Sequence, residues 1–299
     1  MTFSIIVVCL NAGKKLHETI ESIRSQTERD YEIIIKDGDS EDEITRNCLN
    51  SYREENRIAQ ENDRAGCGQI RVYCSKDKGI YDAMNQAVQY VRGDYVLFLN
   101  CGDCFYDNRV LARTREQISR VREQRSQIGT QSGRQFAQTT EESPPQYIFY
   151  GNIHERRTDT LVQSNPVIDD FACYRNVPCH QACFYAAELL RKRAFNTAYA
   201  VRADYEHFLW CYYKGGAKTV YLPVTVAFYE GDGFSETREN KKKSKQEHKE
   251  IVSIYMSAAQ VRKYHLIMLL TLAPVRTRIA RNPVTAGIYQ TLKRKLYRK

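Results

Sequence analysis

The chain lacks any uninterrupted apolar stretch approaching the roughly 20 residues that a bilayer-spanning helix requires. Its longest candidate, residues 266–273, is already broken by Thr271, which argues against an integral membrane protein. No basic segment followed by a short hydrophobic core opens the sequence, and residues 3–10 read as a first strand, so secretion is not expected and the compartment is read as cytoplasmic. The ten cysteines do not have the dense spacing of a disulfide scaffold and are expected to be reduced thiols. Even Cys101-Gly102-Asp103-Cys104, spaced like a redox pair, falls where the turn after a strand explains it better. There is no internal repeat and no nucleic-acid-binding motif.

What is present is a length of 299 residues with 42% hydrophobic content, enough for a full core in one large domain or a domain with an appendage. The net charge of +9 is unevenly placed: residues 240–299 carry 15 Lys and Arg against two acids, whereas residues 1–239 carry 30 against 34. A mildly acidic body with a strongly basic tail predicts an anionic surface as the tail's partner, either phospholipid or nucleic acid.

Residues 3–10 are a run of strand formers, Leu16, Ile20 and Ile23 recur at helical spacing, and residues 31–36 supply a second strand. A third short strand falls at 70–73, a helix at 80–91 and a buried strand at 95–99. This alternation predicts an α/β fold, with a mostly parallel sheet covered by helices on both faces. Residues 112–145 turn to Arg, Gln, Ser and Thr and predict a helix that fades into a variable loop. Order resumes at 147–150 and 179–185, with a helix at 205–213 that has Asp204 as its N-cap, and strands at 219–222 and 225–229. The expected division is a catalytic body over 1–239 and a basic, helical extension over 240–299.

Open parallel sheets bind ligands beyond the carboxyl ends of their strands. The polar clusters that follow the predicted strands are Asn11-Ala12-Gly13, Asp37-Gly38-Asp39-Ser40, Lys76-Asp77-Lys78-Gly79 and Asn100-Cys101-Gly102-Asp103. A nucleotide sugar needs acceptors for its base and ribose donors and a cation for its departing diphosphate, and carboxylates serve both needs. Asp37 and Asp39 suit the first, although turn chemistry explains Asp-Gly-Asp-Ser equally well. Asp103 suits the second, because Mg²⁺ or Mn²⁺ at a phosphate site typically takes one or two protein carboxylates.

The stretches SIIVVCLNAGKKLHETIESIRSQT, YEIIIKDGDSED, SKDKGIYDAMNQAVQYVRGDYVLFLNCGD, HQACFY and ADYEHFL resemble the family 2 glycosyltransferases of the GT-A fold. They are most similar to the branch that assembles bacterial exopolysaccharide, capsule and lipopolysaccharide, such as the colanic acid enzymes. The resemblance covers residues 3–235 and implies a Rossmann-like GT-A sheet and an inverting transfer from a nucleotide diphosphate sugar, such as a UDP-sugar. The implied acceptor is a glycan or lipid-linked glycan. It places Asn11, Asp37 and Asp39 around the nucleoside and Lys76 and Asp77 near the uracil or diphosphate. The family's Asp-x-Asp metal motif falls on residues 100–103, so Asp103 inherits the metal and Asn100 stands where the first acid is usual. Asp82 and Asn85 are expected to face the donor sugar, with a first-turn acid favoured by the helix dipole as the plainer reading of Asp82.

Transfer through an oxocarbenium-like transition state needs a base for the attacking hydroxyl. Asp204 matches the family's base position at a helix start, with Glu206 as the alternative. His180 and Gln181 match its acceptor-side pair, and residues 231–235 resemble a loop that closes over the donor. For the tail, Ile251, Ile254, Tyr255, Val261, Tyr264 and residues 266–270 among basic side chains suggest helices at an anionic membrane interface. A helical pair packed on the body, or an oligomer contact, fits the tail as well. Two other classes compete with the transferase reading. A nucleic-acid-binding protein explains the basic tail and the 21 tyrosines but not the acidic strand ends. A sugar nucleotidyltransferase wants a Gly-rich, Arg-containing phosphate loop longer than Asn11-Ala12-Gly13-Lys14.

Overall fold

A computed structural model describes residues 1–61, 68–131, 145–229 and 237–271. Its centre is the run of strand formers at the start of the chain. Strand β1 (Phe3–Cys9) is buried along its whole length because it is flanked on both sides, by β2 (Tyr31–Asp37) and by β4 (Tyr95–Phe98), both parallel to it. Strand β3 (Ile70–Cys74) extends the parallel set beyond β2. Strands covered on both faces read as continuous Ile and Val runs, and that is why β1, β2 and β4 are visible in the sequence.

Helix α1 (Lys14–Arg24) joins β1 to β2 and buries Leu16, Thr19, Ile20 and Ile23. Helix α2 (Glu43–Glu61), which the pattern does not announce, is pinned by Thr45, Leu49 and Tyr52 at i, i+4 and i+7. Helix α3 (Ile80–Val88) leads to β4 and ends earlier than the expected 91, at Gln89. The chain therefore moves outward from β1 to β3 and then crosses back to β4 on the other side of β1. That reversal makes the β1/β4 edge the topological switch point, where α/β sheets open their ligand crevice.

The second half of the sheet is mixed. Beyond β4 the order continues through β8 (Cys183–Ala186), β6 (Tyr147–Glu155) and β9 (Lys218–Tyr229) to β5 (Cys104–Phe105), while β7 (Thr160–Val162) hairpins onto β6. β8 is antiparallel to β4 and to β6, and β9 runs parallel to β6. The two strands expected at 219–222 and 225–229 are one strand with a register break opposite Gly151. Pro223 interrupts the pattern there, and a Cβ on Gly151 would lie 2.3 Å from the Val224 carbonyl oxygen, so only glycine lets the two backbones approach this closely. Helix α4 (Val110–Gln131) is the expected helix, and the loop that follows lies outside the described residues, as do residues 231–235 and the tail beyond 271.

Helices α5 (Asp170–Arg175), α6 (Ala187–Lys192) and α7 (Ala203–Tyr213) cover the second half. The tail is helical where it is described. Helix α8 (Arg238–Tyr255) runs across residue 240 and buries Glu247, Ile251 and Val252 against the body. Helix α9 (Ala258–Leu270) docks through Gln260 on Asp170 and through Tyr264 between Phe171 and Tyr174, leaving Leu266, Leu269 and Leu270 exposed. No helix among the described residues is long and apolar enough to cross a membrane. The nine cysteines described are free thiols.

Candidate active site

The carboxyl rim of the parallel strands is built around Asp37. Its carboxylate accepts from the backbone N–H of Asp39 (3.1 Å) and Ser40 (2.9 Å), from the Ser40 hydroxyl (2.5 Å) and from the Cys9 thiol (3.5 Å). Asp37 is thus the keystone of the turn, and Asp39 is the exposed acid beside it, at φ 74°. Asn11 is likewise occupied: its side-chain oxygen accepts from the N–H of Glu41 (2.8 Å) and Asp42 (3.2 Å), and its own N–H donates to Ser40 (2.8 Å). These bonds lock the end of β1 to the entry of α2.

Beneath the rim lies a residue that the sequence reading missed. Lys36 is 1% exposed, and its ammonium donates to the carbonyls of Asp37 (2.8 Å) and Ser75 (2.6 Å) and meets the Asp77 carboxylate at 3.4 Å. A lysine in a strand ordinarily reads as surface, but this one ties the ends of β2 and β3 together. Asp77 also accepts from the Gly79 N–H (3.0 Å) and sits where a Cβ on Gly38 would be, 2.7 Å from its Oδ2, so glycine at 38 is what lets Asp77 fold over β2. Lys76 is exposed beside it.

A second cluster lies across the switch point. Asp103 is buried and follows a turn in which its N–H donates to the Asn100 carbonyl (2.9 Å), with Gly102 at φ 100°. Thr19 holds this turn from α1, accepting from the Gly102 N–H (3.0 Å) and donating to the Asp103 carbonyl (2.9 Å). A polar side chain on the apolar stripe of α1 was the signal for Thr19. The Asn100 amide donates to His180 Nε2 (3.1 Å), His180 Nδ1 faces Asp204 at 3.4 Å, and the Tyr81 hydroxyl reaches both Asp204 (2.8 Å) and the Val201 carbonyl (2.9 Å). The clusters meet at Cys9, whose thiol is pushed up by its hydrogen bond with Cys101, by burial and by the nearby Asp37 charge.

Asp204 and His180 titrate as partners. Burial is the largest influence on Asp204 and pushes its carboxyl up, but the bond and charge of His180, with the Tyr81 hydroxyl, outweigh it and hold the group below the usual carboxylate range. Burial likewise works to lower His180, and the Asp204 bond, with the charges of Asp204 and Asp103, carries it above its ordinary value.

Several expectations are corrected. Asp204 is not the N-cap of its helix: Arg202 occupies that position, and Asp204 is the second residue of α7, free to point into the cluster. Glu206 points elsewhere, buried and bound by Arg193 (2.9 Å) and Tyr255, which separates the two candidate bases by environment. The Asn85 amide is held by the Phe195 backbone, donating to its carbonyl (2.9 Å) and accepting from its N–H (2.8 Å). Asp82 accepts from the Lys78 N–H (2.9 Å) and from Gln86 (3.1 Å), as a first-turn acid does. Gln181 is buried in the 3₁₀ turn His180–Ala182, with His180 21% exposed beside it.

Among the described residues no group of three or more His, Cys, Asp and Glu side chains fits a metal. A hard cation shared with a diphosphate asks for less, one carboxylate and one neutral oxygen, and the turn offers Asp103 together with Asn100 Oδ1, a buried oxygen that has no hydrogen-bond partner. The donor set fits.

A parallel sheet with polar clusters converging at its switch point, continued by a mixed half that brings a carboxylate across the crevice, defines the GT-A class of nucleotide-sugar transferases. The chain belongs to glycosyl transferase family 2, whose sequence profile matches residues 4–173, and it is a glycosyltransferase. It is 30% identical over 238 residues, 79% of both chains, to a PGL/p-HBAD biosynthesis glycosyltransferase of Mycobacterium bovis (strain BCG / Pasteur 1173P2). It is 31% identical over 107 residues, 36% of this chain and 38% of the other, to the UDP-Glc:alpha-D-GlcNAc-diphosphoundecaprenol beta-1,3-glucosyltransferase WfaP of Escherichia coli. The mannosyltransferase PcManGT from Pyrobaculum calidifontis, solved with GDP-Man and Mn²⁺, shares the fold with a TM-score of 0.56 at 14% identity, over 99% of this chain and 80% of that one.

Proposed function

We propose that this glycosyltransferase transfers a sugar from a UDP-sugar, with inversion, to a glycan or lipid-linked glycan acceptor in cell-surface polysaccharide biosynthesis. The observation that carries the reading is the chain Asp204, His180, Asn100, which joins a carboxylate on α7 to the turn bearing Asp103. A base at one end and a diphosphate-handling turn at the other, linked through a single imidazole, is a layout that suits an in-line displacement. Asp204 accepts the proton of the attacking hydroxyl, while Tyr81 and His180 fix its two oxygens. Asp103 and Asn100 Oδ1 would hold a Mn²⁺ or Mg²⁺ ion, which neutralises the departing diphosphate. Asp39 and Lys76, the exposed pair at the rim, contact the nucleoside and its phosphates, and Asn11, Asp37 and Asp77 shape the loops that carry them. His180 and Gln181 lie on the acceptor side.

The UDP donor and lipid-linked acceptor are supported by the activity named for the E. coli relative, and the metal by the Mn²⁺ of the Pyrobaculum calidifontis structure. The acceptor chemistry and the basic tail together support a peripheral position at the inner face of the cytoplasmic membrane. Product analysis with UDP-sugars and GDP-mannose, with and without Mn²⁺, tests the reading. Transfer releases a nucleoside diphosphate and stops when Asp103→Ala is introduced, whereas formation of a nucleoside triphosphate and a sugar 1-phosphate only when pyrophosphate is added would identify a nucleotidyltransferase instead.

A further inference from the structure

Helix α7, which carries Asp204, begins without a side-chain cap of its own. Its N-cap is Arg202, a residue with nothing to accept a hydrogen bond, so the backbone donors leading into the helix need an acceptor from elsewhere. They find it on α8. Glu247 Oε1 accepts from the Ala200 N–H at 2.9 Å, and its Oε2 accepts from the N–H groups of Val201 at 3.0 Å and Arg202 at 2.8 Å. Three consecutive amides thus enclose one carboxylate that is only 4% exposed, 45 residues downstream of Arg202. Charge-assisted bonds to backbone N–H groups at a helix start are among the stronger protein hydrogen bonds, and the positive end of the α7 dipole adds to them.

The clasp is reciprocal. Arg202 Nε donates to the carbonyl (3.1 Å) and hydroxyl (2.8 Å) of Ser244, about one turn before Glu247, and the Arg202 guanidinium lies over the Tyr205 ring. The Val201 carbonyl, set between two of the clasped amides, receives the Tyr81 hydroxyl that also reaches Asp204. We infer that Glu247 is a positioning residue for Asp204, an inference that rests on Asp204 being the base. The carboxylate on α8 fixes the three residues before α7, and these set where Asp204 and Tyr81 meet. The first helix of the basic segment is then part of the catalytic apparatus, whatever else the segment binds.

The test uses the full chain carrying Glu247→Gln. Glutamine keeps the size of the side chain, but its NH₂ must face at least one of the three amides. Turnover is measured with whichever donor of the panel above releases nucleoside diphosphate, and it is normalised to the number of nucleotide sites found by calorimetry, so that misfolded protein does not count. The expected result is unchanged nucleotide affinity and donor KM with kcat lowered about 10- to 100-fold, the scale of a misplacement near 1 Å. Arg202→Gln opens the same clasp from the other side and stands in if the first variant cannot be purified. A normal kcat per site in either variant overturns the inference, and so does a fall in nucleotide affinity parallel to kcat, which would mark general loosening. Asp204→Asn separates the two levels: if it is fully active, the base reading fails and takes this inference with it. If it is inactive while Glu247→Gln turns over normally, only the role of Glu247 falls.

Discussion

Replacing Lys36 by methionine is the sharpest test of how the rim is held. Methionine fills a similar volume, so the change removes the charge and its bonds while keeping most of the apolar packing. Three interactions go: the ion pair with Asp77 and the donations to the Asp37 and Ser75 carbonyls. The Asp37 carbonyl still accepts from the Ser75 N–H, so the principal loss is Asp77, left buried with its charge uncompensated. Breaking a buried pair from one side costs about 3–5 kcal/mol. At about 2–4 °C per kcal/mol, the melting temperature falls by roughly 6–20 °C. Denaturant unfolding gives the free energy directly, and nucleotide affinity falls as Asp77 swings off Gly38. Adding Asp77→Asn to Lys36→Met removes the stranded charge and restores about 1–2 kcal/mol of coupling. A single variant within 1 kcal/mol of the parent, or a strictly additive cycle, refutes the view that this pair holds the two strand ends together.

Three further outcomes are expected. His180→Gln removes the partner that holds Asp204 down and leaves burial to push it up, so the acid limb of kcat/KM moves to higher pH. In the parent, the lowered Asp204 contributes stability above its unfolded value and loses it as pH falls through the folded one. The raised His180 contributes below its unfolded value and loses it as pH rises through the folded one. Their joint stabilisation is therefore fullest between about pH 4 and 6.5, and a melting profile that His180→Gln does not flatten there contradicts the pairing. For the tail, vesicle flotation should be strong with anionic lipid and weak with neutral lipid, and Leu269→Ser with Leu270→Ser should reduce it. Equal flotation of all forms would separate the tail from the membrane.

The parallel half of the fold was legible because strands covered on both faces have to be continuously apolar, and the polar groups at their ends stand out against those runs. Helix α2 was not, since its fully buried positions among the described side chains are Thr45, Leu49 and Tyr52, and two of the three bear polar groups. Asp204 reads as an N-cap because aspartate so often is one; the carboxylate that serves the start of α7 comes from Glu247, and no local pattern reports a partner that distant. Lys36 was overlooked for the opposite reason, because a lysine near the end of an apolar strand looks like a solvent-facing position until β3 closes over it. Asn85 lies on the expected helix, and its tie to the Phe195 backbone is again a contact too far along the chain for a local pattern to report.

The pairing of Cys9 with Asp37, and of Asp37 with Cys74, means that β1, β2 and β3 finish level. Each then contributes one short loop to a common shelf, and lengthening a loop reshapes a single wall of the cleft without disturbing the ladder below. Donor preference in such a protein is free to drift one wall at a time. An extra residue inside β1 has the opposite effect: it shifts the pairing with β2 and β4 at once and turns the β1 side chains beyond it to the other face, so tolerance of insertions changes abruptly at Leu10.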